Sequence, residues 1–201
     1  NNVSNNNCLN NCYCSIWLGL DNNNIMNNNC SNSGAGICLY YSSNSIVINN
    51  KCEDNTIGVS LYYSNNNKLK GNIMSNCGIS IYGGTLSHFI HEIDTSNTVN
   101  GKPVYYWKNV KGGKVPDGAG QVILVNCSNV IVENQELKDA SIGIEVAFSS
   151  FITISNNNCS NNKYFGIYLY YSNNNNITNN NCENNNWEGL HLSYSNNNRI
   201  Y

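Results

Sequence analysis

Apolar positions return along this chain at a long, fixed interval. Val3, Ile25, Val47 and Leu69 stand 22 residues apart, and five residues after them come Cys8, Cys30, Cys52 and Met74. The pair recurs as Val132 with Leu137, Ile154 with Cys159 and Ile177 with Cys182, at steps of 22 and 23, and Ile200 opens the next unit. Only the 63 residues from Leu69 to Val132 depart from the period. A second column occupies 15–18, 36–39, 58–61, 78–81, 143–146, 166–169 and 189–192. There apolar residues alternate, as in Ile37-Cys38-Leu39 and Ile167-Tyr168-Leu169, which predicts short strands with one buried face. Asn, Ser and Gly turns separate them. No segment keeps a 3.6-residue period, and dense Asn opposes helix.

Short strands at this period predict an all-β fold, a single-stranded right-handed parallel β-helix. About nine coils of 22–23 residues fill one domain, 1–201, with irregular coils or an inserted loop at 83–120. The leucine-rich repeat consensus is absent, and a sandwich or propeller would not hold so strict a period. The segment 83–120 carries both prolines, His88, His91 and a Gly-Gly-Lys turn. Within it Val104-Tyr105-Tyr106-Trp107 reads as a strand and 110–121 as an excursion loop. Ile79 to Val122 is 43 residues, so one full coil and one coil with an extended loop are expected.

Asn supplies 47 of the 201 residues. In a solenoid the coils repeat about every 4.8 Å, so equivalent turn residues stack. Asn accepts left-handed backbone, caps turn amides, and hydrogen-bonds to its own kind along a column. The other use of Asn is N-glycosylation, with sequons at Asn2, Asn29, Asn126, Asn158 and Asn176. Some of these fall in inward-leaning turns, so few are expected to carry sugar.

Charged residues make only 11% and the net charge is -2. That excludes an electrostatic nucleic-acid binder and a basic membrane-surface protein. No apolar run approaches the roughly 20 residues of a membrane helix, so direct membrane insertion is not expected. The sequence does not start with Met, so a processed chain or a piece of a longer one is expected.

Cys8, Cys30, Cys52, Cys159 and Cys182 share one column with Met74 and Leu137, so the position asks for bulk rather than a thiol. A core ladder of unreactive thiols follows, the Cβ spacing between coils being somewhat long for a disulfide. Cys12, Cys14, Cys38, Cys77 and Cys127 fall in turns or at an outward strand position. They are the candidates for disulfides between coils or subunits. Cys12-x-Cys14 lacks zinc spacing, and neither metal nor cofactor is expected.

Tyr40, Tyr62, Tyr82 and Tyr170 should point outward, and with Trp107 they are the candidate sugar platform. Tyr41, Tyr63, Phe148, Tyr171 and Tyr194 should point inward or edge the corner. Glu145, Tyr168 and His191 fall in one outward column on successive coils, with Glu188 in the turn before His191. A carboxylate, a phenol and an imidazole in a row are acid–base types suited to a uronic acid. Two coil rises would part Glu145 from His191 by about 10 Å, the long limit for paired action. The same column elsewhere reads Trp17, Cys38, Ser60 and Ser80. A polysaccharide lyase would want a calcium-binding carboxylate cluster and a basic residue, yet Arg199 is the only Arg. A hydrolase would want grouped Asp, yet Glu53-Asp54 is the only acidic doublet.

The segments Ile-Thr-Ile-Ser-Asn-Asn-Asn-Cys-Ser-Asn-Asn at 152–162 and Phe-Gly-Ile-Tyr-Leu-Tyr-Tyr-Ser-Asn-Asn at 165–174 resemble the NosD-like, or CASH-type, β-helix family. The stretches 97–107 and 120–130 are similar to the interruption in repeat arrays of archaeal surface proteins, especially those of methanogens. The resemblance covers essentially the whole chain. It implies a secreted or cell-surface β-helix, of archaeal envelope type, among relatives that bind or cleave polysaccharide. One branch is named for copper delivery, but three His and two Met with no shared column make that role transfer poorly.

The leading expectation is a structural cell-surface protein, S-layer-like or filament-forming, with self-association as its main partnership. Val3 and Ile200 share a phase, so head-to-tail stacking of uncapped coils is expected. The alternatives are a carbohydrate-binding module and, behind it, a polysaccharide lyase, epimerase or hydrolase. Enzymatic activity is not the leading expectation.

Overall fold

The computed structural model describes residues 1–201, and its chain is a β-solenoid of about nine turns. It divides into two compact units, Asn1–Val104 and Tyr105–Tyr201.

In the first unit each coil lays down three strands, and each strand pairs in parallel with its equivalent one coil on. Val3, Ile25, Val47 and Leu69 are in register on one face, and Cys8, Cys30, Cys52 and Met74 on the next. Ile16, Ile37, Val59 and Ile79 align on the third face, with Leu18, Leu39, Leu61 and Ile81 beside them. The apolar columns read from the sequence are thus the core.

Backbone pairing alone leaves the corners to be explained. Asn5, Asn27 and Asn49 adopt positive φ, and each is followed by the Asn whose amide joins a ladder between coils, Asn6, Asn28 and Asn50, of which Asn28 and Asn50 are buried. Asn28 donates from both its backbone N–H (3.0 Å) and its Nδ2 (2.9 Å) to Asn50 Oδ1. Asn50 does the same to Asn72, and Asn72 to Asn97. Each inner amide nitrogen also donates to a carbonyl of the coil before, as Asn50 Nδ2 does to Ile25 O at 2.9 Å. A buried corner backbone has no water to turn to, so these amides are its satisfaction.

Tight stacking also fixes one glycine column. A Cβ on Gly36 would lie 2.8 Å from both Cys52 Sγ and Gly58 O.

The interrupted segment is not a simple excursion. A single 3-10 turn, Leu86–Phe89, precedes Glu92–Ile93 and Thr98–Val99, which pair with Lys68–Lys70 and Ile73–Ser75. Asn100 and Gly101, both at positive φ, then close a hairpin in which Thr98 faces Pro103 and Val99 faces Lys102. This is the one antiparallel step in the first unit. Within the expected excursion at 110–121, Gly112, Gly113 and Gly118 take positive φ, and the chain touches the following coil where Lys111 bridges Ser128 and Lys114 bridges Ile131. There the N–H groups of Gly112 and Val115 donate to Ser128 O and Ile131 O.

In the second unit Val122, Ile144, Ile167 and Leu190 align, as do Val132, Ile154, Ile177 and Ile200. The core is an aliphatic cluster that includes Val115, Leu124, Leu137 and Cys159, with Tyr105 and Trp107 packed against it.

Candidate functional site

The polar columns place the cysteines first. All ten are thiols. Cys77 and Cys127 do not face outward, as disulfide partners would. They take ladder positions at corners where equivalent coils use Asn or Ser, and both are buried. Cys77 Sγ donates to Cys52 O and Ser75 O, each at 3.4 Å, and Cys127 Sγ to Trp107 O and Val125 O. Burial pushes the Cys77 thiol up to about 11. Cys38 falls in the outward column with Trp17 and Ser60 but is buried, and its thiol meets Cys14 and Ser60. Cys12 is exposed. On the core column, Cys30 is in register with Cys52, and Cys159 and Cys182 are equivalent residues of adjacent coils.

At three sequons the amide nitrogen that would take sugar is already a donor. Asn29 gives it to Asn7, Asn126 to Asn109 and Asn158 to Glu136. Asn2 is exposed and Asn176 half-buried.

The aromatic columns reverse part of the expected arrangement. Tyr41, Tyr171 and Tyr194 are exposed rather than inward. Tyr41, Tyr63, Phe148, Tyr171 and Tyr194 all sit at positive φ, where the chain turns each ring out of the coil. The buried corner residue is the serine that follows, as where Ser42 N–H donates to Ser64 Oγ. Tyr170 is not a surface platform. It is only 6% exposed, with Tyr171 and Phe148 edge-on to it. Trp107 packs on the core. Tyr40, Tyr62 and Tyr82 do reach the surface, but their rings stack on one another at 4.9 and 5.1 Å, interplanar 9° and 14°. The facing surfaces that a sugar would need are therefore taken up within the stack.

The row Glu145, Tyr168, His191 is in strict register. It does not converge: Glu145 is fully buried, and Tyr168 lies between it and His191. Glu188 opens the strand Glu188–Ser193 rather than lying in a turn, and its Oε2 is 3.4 Å from His191 Nδ1. Phe165 stacks near His191 (4.8 Å) and Tyr168 (5.0 Å). Trp187 meets Tyr164 edge-on at 4.6 Å and is 65% exposed. This cluster of Tyr164, Phe165, Trp187, Glu188 and His191 is the one place where an open indole adjoins an oriented imidazole–carboxylate pair. Trp187, Tyr164 and Phe165 were not read as candidates. Their signal was present: Tyr164-Phe165-Gly166 and Trp187-Glu188-Gly189 occupy the same phase of the repeat.

The sequence model of the family described as periplasmic copper-binding protein (NosD) matches residues 1–100 and again 87–201. The chain belongs to the NosD family. No curated protein matches it. Among solved structures, the alginate lyase from Paenibacillus sp. str. FPU-7 is similar over 92% of this chain and 76% of its own, at 15% identity and a TM-score of 0.37. That likeness is too slight to carry an argument.

The family's description names copper, and sulfur donors would suit its cuprous form. The column Cys30, Cys52, Met74 offers sulfur, but it is packed to contact. A Cβ on Gly58 would lie 2.9 Å from Met74 Cγ, and one on Gly36 2.8 Å from Cys52 Sγ. No three His, Cys, Asp or Glu side chains converge. These residues do not fit a copper centre.

Proposed function

We propose that this chain is a structural element outside the cytoplasm, a stiff solenoid that self-associates into a surface layer or filament. The observation that carries this reading is the unbroken amide ladder from Asn6 through Asn28, Asn50 and Asn72 to Asn97. It ties the coils of the first unit to one another by side chains as well as by backbone, so opening one of them breaks both sets. The family description as periplasmic supports a location beyond the cytoplasm. The low charge limits repulsion between copies, and the exposed corner rings of Tyr41, Tyr171 and Tyr194 offer lateral contact surface.

Negative-stain electron microscopy of the purified protein, with and without reductant, tests this. Ordered filaments or sheets support it, and single dispersed particles at high concentration in both conditions overturn it.

A second reading, carbohydrate binding, is favoured by the open Trp187 ring beside Glu188 and His191. Glycan-array binding that disappears in Trp187→Ala would move the weight there. Polysaccharide cleavage by Glu145, Tyr168 and His191 has less support, because the buried Glu145 lies two coils from His191.

A further inference from the structure

Cys159 and Cys182 are equivalent residues of adjacent coils. Asn158 bridges Asn181 in parallel, and the Cys159 N–H donates to Asn181 O at 2.8 Å. Adjacent strands run about 4.8 Å apart, inside the Cα separation of roughly 4.4 to 6.8 Å that disulfides span. On the other side of Cys159 the column holds Leu137, whose N–H donates to Asn158 O at 2.8 Å, so Cys159 has a single thiol neighbour in its column.

The other thiol pairs differ. Cys30 and Cys52 are wholly buried, and Cys30 is also flanked by Cys8. Cys14 is out of register with Cys38, its Cα partner being Ala35. Cys182 is half-buried while Cys159 is fully buried, which gives this pair an accessible member and a shielded one.

We propose that Cys159 and Cys182 are a reactive dithiol that a low-molecular-weight disulfide oxidises to a covalent bond between adjacent coils. The neighbouring thiol holds the Cys182 thiol below its usual range and pushes Cys159 up. Cys182, the half-buried member, is the one that a small disulfide reaches, so it makes the first attack as its thiolate. It attacks one sulfur of the small disulfide, forming a mixed disulfide and releasing the first small thiolate. Cys159 then gives up its proton and attacks Cys182 Sγ, releasing the second. Two electrons pass from the protein to the small disulfide, and the two cysteine protons end on the two small thiols. A periplasmic or extracellular setting would keep such a bond oxidised. The bond closes a loop of one coil.

The test uses the full chain carrying Cys12→Ser, which removes the exposed thiol that would join two copies. The reduced protein is incubated with oxidised glutathione and then unfolded in guanidinium at acidic pH, remaining thiols, buried ones included, are blocked with an excess of iodoacetamide on return to neutral pH, and unreduced peptides are mapped by mass spectrometry. The expected result is one linked species joining the peptides of Cys159 and Cys182, with complete loss of alkylation at both. In Cys159→Ser the Cys182–glutathione adduct should accumulate, and in Cys182→Ser Cys159 should remain alkylatable. Persistence of both thiols in the parent protein, or a bond from Cys182 to any other cysteine, overturns the proposal whether or not the variants fold.

Discussion

Two kinds of corner in this solenoid share one backbone device and fill both of its positions with different residues. At the Asn corner, Asn49 takes positive φ and Asn50 turns inward. At the Tyr corner, Tyr41 takes positive φ and Ser42 turns inward to hydrogen-bond Ser64. In both, the second residue is buried and supplies the polar group that the turning backbone needs. The first residue faces water. Asn suits its left-handed conformation, while a bulky ring does not. The rings stack instead, Tyr41 on Tyr63 at 5.2 Å and Tyr171 on Tyr194 at 4.7 Å. The buried residue therefore sets the corner, and the left-handed residue is left to serve the surface.

The strongest break of that comparison is Asn50→Ala. It strands the Asn28 N–H and Nδ2 and leaves Ile25 O without its side-chain donor. A loss of about 3 kcal/mol in denaturant unfolding is expected. Asn49→Ala, one residue earlier, loses only left-handed compatibility and should cost about 1 kcal/mol. Equal losses at the two positions would remove the distinction between buried and surface corner residues.

Cys77 sharpens the point because it puts a titrating group where an amide stands in the coil before. Desolvation raises its folded-state pKa to about 11. The folded state thus holds its proton more tightly than the unfolded one. Stability from this group is complete below pH 8 or so and is lost as pH rises from about 9 towards 11. The loss is on the order of 2 kcal/mol. Cys77→Asn, which extends the Ser33–Asn55 ladder, should flatten this part of the alkaline unfolding profile. An unchanged slope would mean that Cys77 does not titrate between the two states.

Tyr62→Ala tests the ring column away from the corner. Tyr62 stacks between Tyr40 and Tyr82 without taking positive φ, so nothing is relieved when the ring goes. About 1 to 2 kcal/mol should be lost for the two stacked contacts.

The repeat phase made the fold readable, because burial of one column per strand fixes register whatever the turns do. Val3 to Leu69 and Val132 to Ile200 were assigned to their faces by spacing alone. The corner rings were misjudged for the same reason. Alternation assigns inside and outside only along an extended strand, and Tyr41 and Tyr171 lie one residue past the strand end at positive φ. Cys77 and Cys127 were misplaced because a thiol in an Asn column looks like a loop cysteine until its carbonyl acceptors are seen. The hairpin at Asn100-Gly101 carried its turn signal in plain view, yet a period that counts coils has no place for an antiparallel step.

The smallest expected effect is the most discriminating. Tyr41→Asn replaces a ring by the residue that the other corner uses. It removes the stack on Tyr63, worth about 1 kcal/mol, and it removes a left-handed penalty of about 1 to 2 kcal/mol that Asn largely escapes. Tyr41 is more than half exposed, so little apolar burial is lost with the ring. The two changes oppose each other, and the unfolding free energy should move by less than about 1 kcal/mol. Ser42 and its bond to Ser64 remain as they were. A loss as large as that of Asn50→Ala would mean that the ring stack, and not the buried serine, holds the Tyr corner. The two corners would then be different devices that only share a φ angle.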